Sequence, residues 1–176
     1  MNKIQKVSYR FSLIFKALII LYPLMVLAFW MQWISLPEGF FSVSRLPAGK
    51  LEGTGLGIRS VGLLLDMIPT AFVMASFFYL IQLFHLFVKN IIFSEKNVFY
   101  IRKIGFMYLY HVVAAILTTP FLSFLLTFDA PKGSRMISLA IDGDNVSSLL
   151  IAGIVILISW IIEKGRNLEE ETALTV

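Results

Sequence analysis

Few residues of this chain have the types and spacing that catalysis or metal binding needs. Its two histidines, His85 and His111, each lack a carboxylate three or four residues further on that would orient the ring as a base or metal ligand. There is no cysteine, which excludes a thiol nucleophile and a thiolate metal site. A glycine-rich phosphate loop, a Gly-x-Ser-x-Gly elbow and a His-Glu-x-x-His motif are also missing. We therefore expect a protein that is not an enzyme and that has no metal or cofactor.

The segment from Asp142 to Asn145, Asp-Gly-Asp-Asn, resembles a fragment of a calcium-binding loop. It lacks the distal glutamate and the other oxygen ligands that such a loop needs. The better interpretation is a turn in which Asp144 or Asn145 caps the start of a helix.

Asp66 is the acid that lies inside a long apolar run. Ionisable groups at such positions are costly, so they tend to be paired or functional. One interpretation is a local ion pair with Arg59, seven residues earlier, or a protonated carboxyl at the membrane interface. The other is a proton or substrate site of a small transporter, with helices kinked at Pro23, Pro69 and Pro120 around a cavity.

The composition indicates a membrane protein. Of the 176 residues, 58% are hydrophobic and only 15% are charged, against about 25% charged residues in an ordinary soluble domain. A hydrocarbon core about 30 Å thick takes about 20 helical residues. Four apolar runs reach or approach this length, and the fourth is the shortest, at 17 residues. The predicted spans are 13–34, 61–88, 104–128 and 146–162.

The distribution of Lys and Arg predicts the orientation. Ten of the 15 cations lie in the N-terminal segment, the 89–103 loop and the C-terminal tail, and five lie in the outer loops 35–60 and 129–145. Because cytoplasmic segments carry the excess of Lys and Arg, both termini are expected in the cytoplasm. The formal charge of +4 is spread in short groups, so direct nucleic-acid binding is not expected. The fold class is therefore an all-α integral membrane protein, a single domain over 1–176 with four transmembrane helices in an N-in/C-in bundle.

The 89–103 loop and the tail have the strongest local signals. Ser94 can cap a helix whose first turn contains Glu95, the favourable charge at that end. Acids of the tail could then pair with Arg102 and Lys103 across the cytoplasmic face. The candidate partner-binding residues are Ser94, Glu95, Lys96, Asn97, Arg102, Lys103, Glu169, Glu170 and Glu171, and the candidate intramembrane polar residues are Asp66, His85 and His111.

Three sequence motifs resemble a known family. The first is Leu80-x-x-Leu-Phe-x-Leu-Phe, and the second, Ile-Ile-Phe-Ser-Glu-Lys-Asn-Val-x-x-Ile-Arg-Lys-Ile-Gly, covers 91–105. The third is a relaxed form of Ile-x-x-Gly-Arg-x-Leu-x-Glu-Glu-x-x-Leu-Thr-Val at the C-terminus. Together they resemble the bacterial membrane-protein family of domain of unknown function two-nine-seven-five. The resemblance is best from about Leu80 onward, while the first two spans agree only in pattern.

The resemblance implies four helices and, for many members, an adjacent gene for a small Xre-type helix-turn-helix repressor. It implies no catalytic residue. We therefore expect a regulatory or sensor protein of the bacterial inner membrane that contacts membrane lipids and a cytoplasmic transcription regulator. The alternative is a small transporter or channel component that uses Asp66 and the proline-kinked helices. Such a protein is expected to form a homo-oligomer.

Overall fold

The computed structural model describes residues 2–33, 54–128, 137–138 and 143–173, with side chains up to residue 168. All the regular secondary structure in these ranges is α-helical. Each helix begins before its predicted apolar run, but the first and third helices end before 34 and 128, where their predicted runs end. The helices are α1 (Lys3–Trp30), α2 (Leu56–Val88), α3 (Glu95–Leu126) and α4 (Gly143–Ala173).

All four helices are long and apolar enough to cross a membrane. Their lengths of 28, 33, 32 and 31 residues exceed the about 20 residues that a span requires. For α4 the apolar candidate span covers Gly143–Leu168, so the fourth predicted run belongs to a helix of sufficient length. The prediction of an all-α multi-pass membrane protein is confirmed.

Two of these helix starts alter predictions about individual residues. The third helix begins at Glu95, so only 89–94 separates α2 from α3 and the rest of the predicted 89–103 loop is helical. The fourth helix begins at Gly143, which places Asp144 and Asn145 inside its first turn. Neither of these residues is therefore the predicted cap. An acid in the first turn stabilises the helix dipole without being its cap, which explains why the sequence signal is ambiguous.

Successive helices pack on one another and run antiparallel. The chain therefore begins and ends at one end of the bundle, which we name the terminal end; the other is the far end. Two contacts between each pair of successive helices show the antiparallel direction. They are Phe11–Phe84 and Trp30–Asp66 for α1 and α2, Tyr79–Tyr100 and Pro69–His111 for α2 and α3, and Arg102–Glu163 and Tyr108–Ser148 for α3 and α4.

The seam between α1 and α2 is aromatic towards the terminal end. Phe84 stacks on Phe11 and Phe15, with ring centroids 5.5 and 5.8 Å apart. Phe77 follows at 5.6 Å from Phe15. Aromatic pairs of this geometry contribute about 0.5–1.5 kcal/mol beyond the burial of their area. The stack fixes the register of α1 against α2.

The seam between α3 and α4 depends on small residues. A Cβ at Gly105 would lie 2.7 Å from Cγ1 of Ile156 and 3.2 Å from the Ile156 backbone nitrogen, so the two backbones approach closely. Ala152, one turn before Ile156, is fully buried. Small residues allow this approach in membrane helices, where close van der Waals packing replaces the hydrophobic effect as the main attraction.

Candidate functional site

The turn between α2 and α3 is closed by its own backbone. Asn90 has a positive φ of 62°, a conformation that asparagine tolerates better than most residues. The backbone amide of Asn90 donates to the carbonyl of Phe87, and the amide of Ile91 donates to that of Leu86, both at 3.0 Å. This Schellman arrangement ends α2 sharply. It brings the start of α3 within a few residues of the end of α2.

Ser94 and Asn97 fasten the start of α3. The Asn97 amide donates to Ser94 Oγ at 3.4 Å, which confirms the predicted cap, and the Ser94 hydroxyl donates to the Asn97 side-chain oxygen. Asn97 Nδ2 donates to the Ile91 carbonyl at 3.0 Å, and the asparagine is 1% exposed. Both residues are therefore turned towards the chain itself. A direct role for them in binding a partner stays a prediction.

Replacing Asn97 with alanine is expected to lower the free energy of unfolding by about 1–3 kcal/mol. It removes a buried side chain and leaves the Ile91 carbonyl without its donor. The measurement is thermal unfolding in mild detergent. Asn167→Ala is the matched control, because Asn167 is exposed on α4 and its loss is expected to change stability by no more than about 0.5 kcal/mol. Equal effects of the two substitutions would contradict the assigned role of Asn97.

Two ion pairs join α3 to α4 at the terminal end. Arg102 of α3 binds Glu163 of α4 through Nη2, and its Nε donates to Ser159 Oγ at 3.5 Å. In the second pair the charges are exchanged between the helices. Arg166 of α4 donates through Nη2 to Glu95 Oε1 of α3 at 3.0 Å. Each helix thus supplies one guanidinium and one carboxylate.

These pairs border a cavity of about 240 Å³, which we name the α3–α4 cleft. The side chain of Glu95 is 82% exposed and that of Arg166 is 16% exposed, while Arg102 and Glu163 are intermediate. Exposed pairs of this kind contribute about 0–1 kcal/mol each, so they orient α4 more than they stabilise it. The lining residues are Glu95, Val98, Phe99, Arg102, Glu163 and Arg166.

The predicted partner-binding residues do not lie on one common surface. Glu95 and Arg102 line the cleft. Lys103 lies over the Phe99 ring, with Nζ 5.4 Å from the centroid. Lys96 lines a second cavity, of about 470 Å³, on the side of α2.

The predicted pairing of Glu169, Glu170 and Glu171 with Arg102 and Lys103 falls partly outside the described residues, because those three acids belong to α4 but their side chains are not described. The carboxylate that binds Arg102 is that of Glu163. Sequence reasoning missed Glu163 and Arg166 as site residues. Both residues continue the helical spacing of the buried positions 152, 156 and 159 of α4. This spacing could have placed them on the face of α4 that packs against α3.

Asp66 lies at the far end, where it binds α1. The indole Nε1 of Trp30 donates to Asp66 Oδ2 at 3.2 Å, and the carboxyl is 3% exposed. The proposed pairing with Arg59 is wrong. Nε of Arg59 instead donates to Thr54 Oγ1 at 3.3 Å, near the start of α2. A buried carboxyl can be satisfied by a helix-to-helix hydrogen bond that no sequence spacing indicates.

The two histidines lie at different levels of the bundle. His111 is near the middle of α3, with Nδ1 3.1 Å from the Pro69 carbonyl oxygen. A carbonyl only accepts, so Nδ1 carries the proton. His85 is exposed in the last turn of α2, about 28 Å along that helix from Asp66 at 1.5 Å per residue. The three intramembrane polar candidates therefore do not form one site.

Among the described residues no group of three His, Asp or Glu side chains is placed to hold a metal ion. The terminal end instead offers two ion pairs beside a cleft. It can present guanidinium and carboxylate groups to a polar ligand or a partner, and it can couple that contact to the position of α4.

Comparison with known proteins supports the family resemblance. Residues 5–176 match the family described as "Protein of unknown function (DUF2975)". The match includes α1 and α2, so it extends well beyond the region from Leu80 in which the motifs were recognised. Comparisons with curated proteins and with solved structures found no match. Four membrane-length helices and a match over nearly the whole chain lead to one conclusion: the chain belongs to the DUF2975 family.

Proposed function

We propose that this chain is a non-enzymatic regulatory protein of the bacterial inner membrane, with both termini in the cytoplasm, and that its α3–α4 cleft binds a cytoplasmic partner protein. The excess of Lys and Arg at the terminal end supports this orientation. The family resemblance favours a helix-turn-helix transcription regulator as the partner. A membrane protein of this kind would hold the regulator at the membrane or release it.

The observation that carries the proposal is the two ion pairs between α3 and α4, of which one is exposed and one partly buried. Glu95 and Glu163 are accessible to a partner while they bind arginines of the neighbouring helix. A partner that competes for either carboxylate would change how α4 is held. Such competition gives a physical route from partner binding to helix position, because the ion pairs are exchangeable at low cost.

The test is affinity capture of the tagged full chain from mild detergent. We expect a helix-turn-helix protein to be recovered with the wild type, and its recovery to fall about tenfold with Arg102→Glu, a loss of about 1.4 kcal/mol. That substitution places two acids opposite each other at the cleft. Truncation after Ile162, which removes Glu163 and Arg166, is expected to abolish recovery.

Lys164→Glu is the matched control, because it reverses a charge on an exposed residue of α4 that does not line the cleft. Recovery with this control is expected to equal that of the wild type. Recovery of the same protein with all variants, or of none with the wild type, would contradict the proposal.

Transport through the bundle has less structural support. Asp66, the residue on which it depends, is bound to Trp30 and lies next to Gly62 in a tightly packed region at the far end. Such an environment favours a structural role.

A further inference from the structure

A second cavity lies on the other side of α3, between the end of α2 and the start of α3. Its volume is about 470 Å³ and it is open to the surface. We name it the α2–α3 groove. Its lining combines apolar side chains with two lysines, one on each helix end. The lining residues are Leu86, Lys89, Ile91, Ser94, Glu95 and Lys96.

The two lysines of the groove have no carboxylate partner in the described part of the chain. Lys89 and Lys96 are both exposed, and the ion pairs of this end use Arg102 and Arg166 instead. The one acid of the groove, Glu95, already binds Arg166. The groove therefore presents positive charge that the protein itself does not neutralise.

The apolar part of the groove is exposed at the level where α2 leaves its apolar span. Ile91 is 40% exposed, and the adjoining Phe93 is 76% exposed. Large apolar side chains beside lysines are typical of a segment at the membrane interface, where the apolar parts enter the acyl region and the amines reach the headgroups. A water-filled site for a small ion would not need this apolar surface.

We propose that the α2–α3 groove binds an anionic phospholipid. Its phosphate lies between the amines of Lys89 and Lys96, and the start of its acyl chain lies against Leu86 and Ile91. Basic pockets at the ends of membrane helices bind headgroups in this way. This inference is independent of the partner protein proposed above.

The test uses the purified full chain in mild detergent, titrated with short-chain phosphatidylglycerol. Lipid binding is measured by native mass spectrometry and by the rise in unfolding temperature. Lys89→Gln with Lys96→Gln is expected to weaken binding about 30-fold, which corresponds to about 1 kcal/mol for each lysine. Both lysines are exposed, so the double variant is expected to fold normally.

The charge-matched control is Lys6→Gln with Lys164→Gln, which removes two exposed lysines of the terminal end outside the groove. Its affinity for the lipid is expected to stay within about twofold of the wild type. An equal loss in both double variants would show general surface attraction and overturn the proposal.

Three further titrations separate lipid from other ligands. Phosphatidylcholine carries the same phosphate without net charge, and glycerophosphate and inorganic phosphate lack the acyl chains. We expect all three to bind at least tenfold more weakly than phosphatidylglycerol. If inorganic phosphate or glycerophosphate competes as well as the lipid, the groove is a soluble-phosphate site and the proposal fails. If phosphatidylcholine binds equally, the lysines do not select for charge, and the proposal fails as well.

Discussion

Replacing Gly62 with alanine is expected to lower the unfolding temperature of this protein by about 10 °C. The added Cβ would lie 2.1 Å from Cη2 and 2.2 Å from Cζ3 of Trp30, far inside van der Waals contact. The indole has no room to move, because it is 0% exposed and its Nε1 is bound to Asp66. Overpacking of this severity costs about 3 kcal/mol, and about 1 kcal/mol shifts the midpoint of a chain this size by about 2–4 °C.

Gly57→Ala is the matched control for this prediction. Gly57 lies in the same helix, and a Cβ built there meets nothing within 4 Å. Because alanine is about 1 kcal/mol more favourable than glycine in a helix interior, we expect the control to be neutral or slightly stabilising. The measurement is thermal unfolding in detergent, followed by circular dichroism. If Gly62→Ala is as stable as Gly57→Ala, α1 and α2 are not packed as described.

The second large effect is expected at Asp66. Asp66→Ala leaves the buried Trp30 N–H without an acceptor and opens a small void, at a combined cost of about 3 kcal/mol. Asp66→Asn retains a side-chain oxygen at the same position, so it is expected to cost less than about 1 kcal/mol. Thermal unfolding of both variants separates the hydrogen bond from the charge.

A double-mutant cycle with Trp30→Phe sharpens this test. If the Trp30–Asp66 hydrogen bond is the main contribution of Asp66, the double variant Trp30→Phe with Asp66→Ala is less unstable than the sum of the single variants by about 1 kcal/mol or more. Additive effects would show that the two residues act separately. A full loss of stability with Asp66→Asn would show that the negative charge itself is needed for folding.

The sequence predicts the helices well because membrane spans leave a strong signal. Twenty or so apolar residues without charge have few stable structures other than a helix in a bilayer. The cap at Ser94 is predicted for a similar reason, since a serine followed by Glu95 satisfies the local amides and the helix dipole together. Both features depend on residues close in sequence.

Pairing between helices is less predictable. A lipid-facing residue is as apolar as a buried one, so hydrophobic periodicity does not mark which face of a membrane helix meets its neighbour. Leu117 of α3 is exposed and Leu122 of the same helix is buried, and nothing in their side chains distinguishes them. The partner of Asp66, Trp30, lies 36 residues away. Arg102 pairs with Glu163, which the helix register places opposite it. The sequence favours the more acidic run at 169–171 as the source of the partner, because register cannot be seen in it.

Glu95 has a particular position, because its carboxylate borders the α2–α3 groove and also binds Arg166 in the α3–α4 cleft. A lipid phosphate in the groove would add to the negative potential that holds Arg166 beside this carboxylate, and a partner that draws Arg166 away would leave Glu95 facing the phosphate unneutralised. The two binding events then share one coupling free energy. Thermodynamic reciprocity requires that each changes the affinity of the other by the same factor. The charge of the surrounding membrane would thereby change the affinity for the proposed partner through a single side chain.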